Sequence, residues 1–231
     1  MKKETPILFS TPMVKGILNN SKNRTRRTRG LEIINQNPND WKFDAPYFRT
    51  GFKKSDNATF AEFINKKGET IKCKFPFGEV GDLLWVRESF VIIPPNYVFY
   101  KADKDNSADI KWKPSIHMPK VACRIWLEIT NIRVERLQSI TEDDIKKEGI
   151  RIPVTKCNGI DTIFLELGKE NSAFKFLPNF EPSNIDLQNY DILFALWAEL
   201  WCKINGRESW DLNPWLWVIE FKQVTKPTIH E

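Results

Sequence analysis

No stretch of this chain approaches the roughly 20 consecutive apolar residues that a helical membrane span requires. The opening, MKKETPILFS, is basic but lacks the apolar core of a secretion signal. The expected compartment is therefore the cytoplasm, with no membrane partner. Histidine is nearly missing, with only His117 and His230. The four cysteines, Cys73, Cys123, Cys157 and Cys202, lie far apart, and neither CxxC nor HxxxH occurs. Zinc sites show close ligand pairs, so no metal and no other cofactor is expected, and the thiols read as reduced and mostly buried. Internal repeats are absent too. At 231 residues the chain suits one sizeable core, and a single domain over 1–231 is the economical reading.

What is present in quantity is aromatic. Nine Trp and 16 Phe predict a core of large rings, which bury the most area per residue. The net charge of +5, from 35 basic and 30 acidic residues, is mild. Its placement is uneven: residues 22–29 hold Lys22, Arg24, Arg26, Arg27 and Arg29 and no acidic residue. A local positive run of this kind attracts phosphate.

The apolar run PILFS (6–10) reads as a first strand. TPMVKGILNN then carries helix signals, with Thr11 as a capping residue, Pro12 at the first helical position and a stripe of Met13, Val14, Ile17 and Leu18. Asn20 stands where the helix should stop, since Asn tolerates the left-handed conformation of a C-terminal cap. The basic run thus leaves a helix end. Residues 35–74 are polar and mixed, with turn signals in NQNPND and KKSDNA. Gly78 and Gly81 mark a turn before the strand LLWVRE, and YVFYKAD reads as another strand. In CRIWLEITNIRVERL the apolar phase runs through Ile125, Leu127 and Ile129, then slips by one to Ile132 and Val134, which predicts a bulge in a long strand. Thr141 and Asp144 have capping-box spacing before a short helix closed by Gly149. A helix from about Asp186 carries a stripe of Leu193, Leu196, Trp197, Leu200 and Trp201 and ends at Asn205-Gly206. Trp215, Trp217, Ile219 and Phe221 alternate along a last strand. The expected fold class is α+β around a small β-barrel with flanking helices.

PILFSTPMVKGILNNSKNRTRR, FGEVGDLLWVRESF, KWKPSIHMPK, ITNIRVERLQSITEDDIKKEGI and NPWLWVIEF, in that order, resemble the ASCH-domain proteins of bacteriophages and prophages, part of the PUA-like superfamily of small β-barrels. The likeness runs from first strand to last and leaves about 35–70 and 151–185 as insertions. The family motif GxKxxTxR falls on Asn20, Lys22, Thr25 and Arg27, with Asn20 in place of the glycine. The resemblance implies binding of nucleic acid, RNA rather than DNA, or of a modified nucleoside, in a bacterial host cell. Some ASCH proteins are amidohydrolases that deacetylate acetylcytidine; carried over, their reactive set is Lys22, Thr25 and Glu88. Others have been linked to RNA cleavage.

The residues themselves leave these readings open. A threonine hydroxyl needs a base to become a nucleophile, and a lysine serves as one only if burial or nearby positive charge lowers its pKa. Arg24, Arg26 and Arg27 would supply that field, and Glu88 would orient the lysine or pass a proton to the leaving group. No metal is needed. Equally, lysine and arginine in a basic run contact phosphates, Thr25 satisfies backbone amides, and Glu88 pairs with a cation. Arg24, Arg26 and Arg29 read as a collar around a basic cleft, with Trp112 as a base-stacking candidate and His117 as a pocket contact. Trp85 has the aromatic face for stacking but sits in an apolar strand and reads as core. A ribonuclease is a further alternative, without a His pair or acidic metal cluster behind it.

Overall fold

The first strand, β1 (Glu4–Leu8), leads through Ser10 into α1 (Thr11–Leu18). Ser10, not Thr11, is the N-cap residue, and Pro12 lies in the first turn, where its missing N–H is no loss. Asn20 takes the left-handed conformation at φ 59°, and the amides of Ser21 and Lys22 both donate to the Gly16 carbonyl at 2.9 Å. The helix stop expected at Asn20 is therefore real, and it sets the start of β2 (Arg24–Arg27).

In this computed structural model residues 2–44, 59–104, 110–151, 155–157, 160–162 and 189–227 are described. The chain divides into two compact units, Met1–Glu135 with Trp215–Glu231, and Arg136–Pro214. In the first unit follow β3 (Trp41–Phe43), β4 (Phe60–Asn65), β5 (Thr70–Lys74), β6 (Leu83–Arg87), β7 (Phe90–Ile93), β8 (Tyr97–Tyr100), the long β9 (Trp126–Arg136) and finally β12 (Trp215–Val224). The turn before β6 needs Gly78: at φ 121° a side chain there would meet the Asp82 carboxylate at 2.5 Å.

The architecture is mixed α+β. One sheet has the order β1-β6-β9-β12-β2, with β1 parallel to β6 and β6–β9 and β12–β2 antiparallel. Its ladders leave it open, with β1 and β2 as its edges. A second, antiparallel sheet runs β3-β4-β5, and β7 and β8 form a hairpin. The main core includes Ile7, Val14, Ile17, Phe63, Phe75, Leu127, Ile129, Ile132, Val134, Trp217 and Ile219. Aromatic rings tie the two sheets together, Phe63 to Trp215 at 5.3 Å and Phe75 to Trp217 at 5.1 Å. The expected phase slip in β9 is present: Thr130 and Asn131 are both exposed, between buried Ile129 and Ile132. The polar stretch 35–74 is more than loop. Its strands place Ala61, Phe63 and Cys73 in the core, at alternate positions that flanking Glu and Lys disguise in sequence.

The second unit contains α2 (Glu142–Lys147), the hairpin β10 (Thr155–Cys157) and β11 (Ile160–Thr162), α3 (Asn189–Asn205) and α4 (Arg207–Leu212). The Thr141 hydroxyl accepts from the Asp144 amide at 3.2 Å, the capping contact its spacing predicts. Leu193, Trp197 and Trp201 of α3 are buried, whereas Leu196 and Leu200 are only partly so. Leu137 donates to the Pro214 carbonyl at 2.9 Å, so the two ends of this unit lie together. Most of the insertion expected at 151–185, and His230, lie outside the described residues. No described helix is long and apolar enough to cross a membrane.

Candidate functional site

Strand alternation divides the basic run. On β2, Thr25 lies opposite Ile219 and Arg27 opposite Trp217, both core residues; Arg24 and Arg26 lie on the other face, opposite Glu220 and Val218. Lys22 and Thr25 are 3% and 1% exposed. The helix end fixes the lysine: a Cβ on Gly16 would stand 3.2 Å from the Lys22 Cβ, so α1 lies directly on its stem. Its Nζ sits 5.8 Å from the centroid of Phe9, and the Arg27 guanidinium is 5.1 Å from the same ring. Both motif cations thus flank one aromatic ring within cation–π range. Arg27 also donates to the Leu8 carbonyl at 2.8 Å.

Glu88 follows β6 and is 1% exposed. Phe9 donates to the carbonyl of its neighbour Arg87 at 3.1 Å, which carries the Phe9 ring up to this end of β6. Arg124 grips the Glu88 carboxylate with two hydrogen bonds, Nε to Oε1 at 2.9 Å and Nη2 to Oε2 at 3.0 Å. Its Nη1 donates to both Asp103 oxygens, and its guanidinium lies 3.9 Å over the Tyr100 ring. Burial pushes the Glu88 carboxyl above the ordinary range; the hydrogen bonds and charge of Arg124 oppose that, while Asp103 adds to it. Burial works against the Arg124 charge as well, but the bonds to Glu88 and Asp103 outweigh it and hold the guanidinium charged.

The 110–120 loop lies against this group. Lys113 and Phe90 exchange backbone hydrogen bonds, Arg87 donates to the Ile116 carbonyl, and the Glu88 amide points at the Met118 sulfur at 3.2 Å. Half-buried Trp112 and exposed His117 sit on that loop, close in chain to these anchors. Trp85 is partly buried against the cluster of Leu83, Phe90, Met118 and Trp126.

The expected collar divides three ways. Arg29 is exposed in a turn. Arg24 pairs with Glu220 at 3.4 Å. Arg26 is not a surface group at all: its side chain is 0% exposed and bonds Glu135 at 3.0 Å. Arg133 joins Glu135 and Glu220, so these side chains make one charged lattice on the sheet face away from Thr25. Sequence reasoning missed Arg124, Tyr100 and Asp103. The only signal was an arginine opening the apolar strand CRIWLEI, too common a pattern to read. Among the described residues no group of three or more His, Cys, Asp or Glu could hold a metal ion.

Set against models of protein families, curated proteins and solved structures, the chain matches none of them.

Proposed function

We propose that the chain is an ASCH-type protein of the PUA-like superfamily, of the bacteriophage and prophage group, acting in the cytoplasm of a bacterial host. It binds nucleic acid, RNA in preference to DNA, or a modified nucleoside, through the region of Lys22, Thr25, Arg27 and Glu88. The observation that carries this reading is the burial of Lys22 and Glu88 with Thr25, at 3%, 1% and 1% exposure. Lys and Glu are almost never fully buried unless paired, as Glu88 is with Arg124, and buried charged groups concentrate at functional sites. A barrel-like closure is supported by Arg27, which reaches from one edge strand of the five-stranded sheet to a carbonyl on the other.

Binding is tested with labelled single-stranded RNA, DNA and free nucleosides. Lys22→Ala and Arg27→Ala should each weaken binding about tenfold or more, as expected for charge-assisted contacts, and Arg29→Ala should weaken it less while flattening its salt dependence. If Lys22→Ala binds every probe as the parent does, the site is misassigned.

A second reading is an amidohydrolase, favoured by a buried threonine hydroxyl three residues from a buried lysine. Thr25 would attack the amide carbon of an acylated cytidine, with Lys22 taking its proton; the amine leaves protonated, and water then frees the acyl group from Thr25. Absence of acetylcytidine hydrolysis by the pure protein ends this reading for that substrate. Full activity in Thr25→Ala ends the nucleophile assignment.

A further inference from the structure

The β7–β8 hairpin has two unlike faces. Phe90, Val98 and Tyr100 lie on one, which packs on the cluster of Leu83, Met118 and Trp126. Val91, Ile93, Tyr97 and Phe99 lie on the other, because Val91 pairs with Phe99 and Ile93 with Tyr97. That second face is open: Tyr97 is 65% exposed, Ile93 45% and Phe99 37%. Large rings in this state leave apolar area in water that an inward-facing strand would bury.

Among the described residues, the exposed charges beside the hairpin are mostly positive. Lys101, Lys104, Lys111 and Lys113 are exposed beside it, and the Lys104 Nζ lies 5.9 Å from the Phe99 ring centroid. The acidic residues that flank the hairpin on either side, Glu88 and Asp103, are both engaged by Arg124. Exposed rings with flanking lysines match a polyanion that carries flat apolar groups.

We propose that this face is a stacking platform for single-stranded nucleic acid, with one base on Tyr97, one on Phe99, and the backbone phosphates met by Lys101 and Lys104. The proposal rests on the nucleic-acid reading above and extends it beyond the Lys22 region. Spacing favours a single strand over a duplex. Two rings on alternate residues stand roughly 6.6 Å apart along a strand, about twice the ~3.4 Å rise of stacked bases, so the bases must be splayed as single-strand binders splay them. The platform is fixed relative to Glu88, since Tyr100 on its anchored face carries the Arg124 guanidinium that holds the Glu88 carboxylate.

The test compares the full-length parent with Tyr97→Ala/Phe99→Ala and with Tyr97→Phe, using labelled RNA of 12 and of 2 nucleotides. The double variant should lose about tenfold or more in affinity for the 12-mer, as expected for loss of base–aromatic stacking, and keep its affinity for the 2-mer. Tyr97→Phe should bind like the parent, because stacking needs the ring and not the hydroxyl. A parent that binds neither RNA overturns the nucleic-acid reading and this proposal with it. A parent that binds the 12-mer no better than the double variant overturns the platform alone. A concentration-dependent self-association, lost in the double variant while RNA binding is unchanged, makes the face a protein-docking surface and equally overturns it.

Discussion

Two arginine–glutamate clusters in the first unit look alike on paper and differ in what surrounds them. On the face of the five-stranded sheet away from Thr25, Arg24, Arg26 and Arg133 interleave with Glu135 and Glu220, cations outnumbering anions among the named groups. Both carboxylates there keep about a quarter of their side chains in water. At the end of β6 the balance is reversed: Arg124 alone serves Glu88 and Asp103, and Glu88 is sealed from solvent. The carboxylates of the first cluster can lose a cation and rehydrate. The second cannot, because its buried anion depends on one guanidinium.

Arg124→Leu is the sharpest way to break the comparison. It strands the Glu88 carboxylate and should cost about 3–5 kcal/mol at neutral pH, the usual effect of removing one partner of a buried pair. The loss has a defined pH sign. A carboxyl whose folded-state pKa is raised adds stability below its ordinary pKa and loses it as pH rises through the raised value. Urea unfolding should therefore show a smaller deficit at pH 5 than at pH 8, and an equal deficit at both would refute the stranded-anion account. Glu88→Gln, which removes the charge and keeps the shape, should cost only about 1–2 kcal/mol.

The cluster around Arg26 predicts a milder response. Arg26→Met fills the same buried space without charge and leaves Glu135 beside Arg133 and water. A loss of about 1–2 kcal/mol is expected. If it matches Arg124→Leu, the two clusters do not differ as described.

Smallest is Glu128, a surface carboxylate that receives Lys2 at 2.6 Å and Lys222 at 2.8 Å. The hydrogen bonds of these lysines hold its pKa down to about 2 from 4.5. Its sign is opposite to that of Glu88: its contribution is complete above pH 4.5 and fades as pH falls toward 2. Glu128→Gln should give a small loss of stability at pH 7 that disappears as pH falls toward 2, so the acid limb is flatter between those values. Salt should weaken the effect, as for other exposed pairs.

The elements legible in sequence were those with a local physical signature. Asn20 announced a left-handed helix stop, Thr141 a cap, and the displaced Ile132 and Val134 a bulged strand, each from a few neighbouring residues. Lys22, Thr25 and Glu88 were legible as site candidates, but their burial was not. Burial is set by α1 lying on the lysine stem and by the 110–120 loop over Glu88, contacts between residues distant in chain. Arg26 misled for the same reason. Five cations in one run look like a single patch, yet a strand sends alternate residues to opposite faces, and the acids that neutralise Arg24 and Arg26 arrive from β9 and β12, more than 100 residues on. β3, β4 and β5 were obscured by Lys and Glu on their solvent side, which drowned a short alternation.

The Arg27 contact with Leu8 has a consequence for the chain in a crowded cell. An edge strand with bare carbonyls invites a strand from another molecule, and open sheets carry two such edges. Because Phe9 turns its amide toward β6, the Leu8 carbonyl points off the outer edge of β1, and that is the acceptor the Arg27 guanidinium occupies. A positive charge placed there both fills the acceptor and repels a second copy bearing the same charge. The residue that bridges the two edges of the sheet also guards one of them against a neighbouring chain.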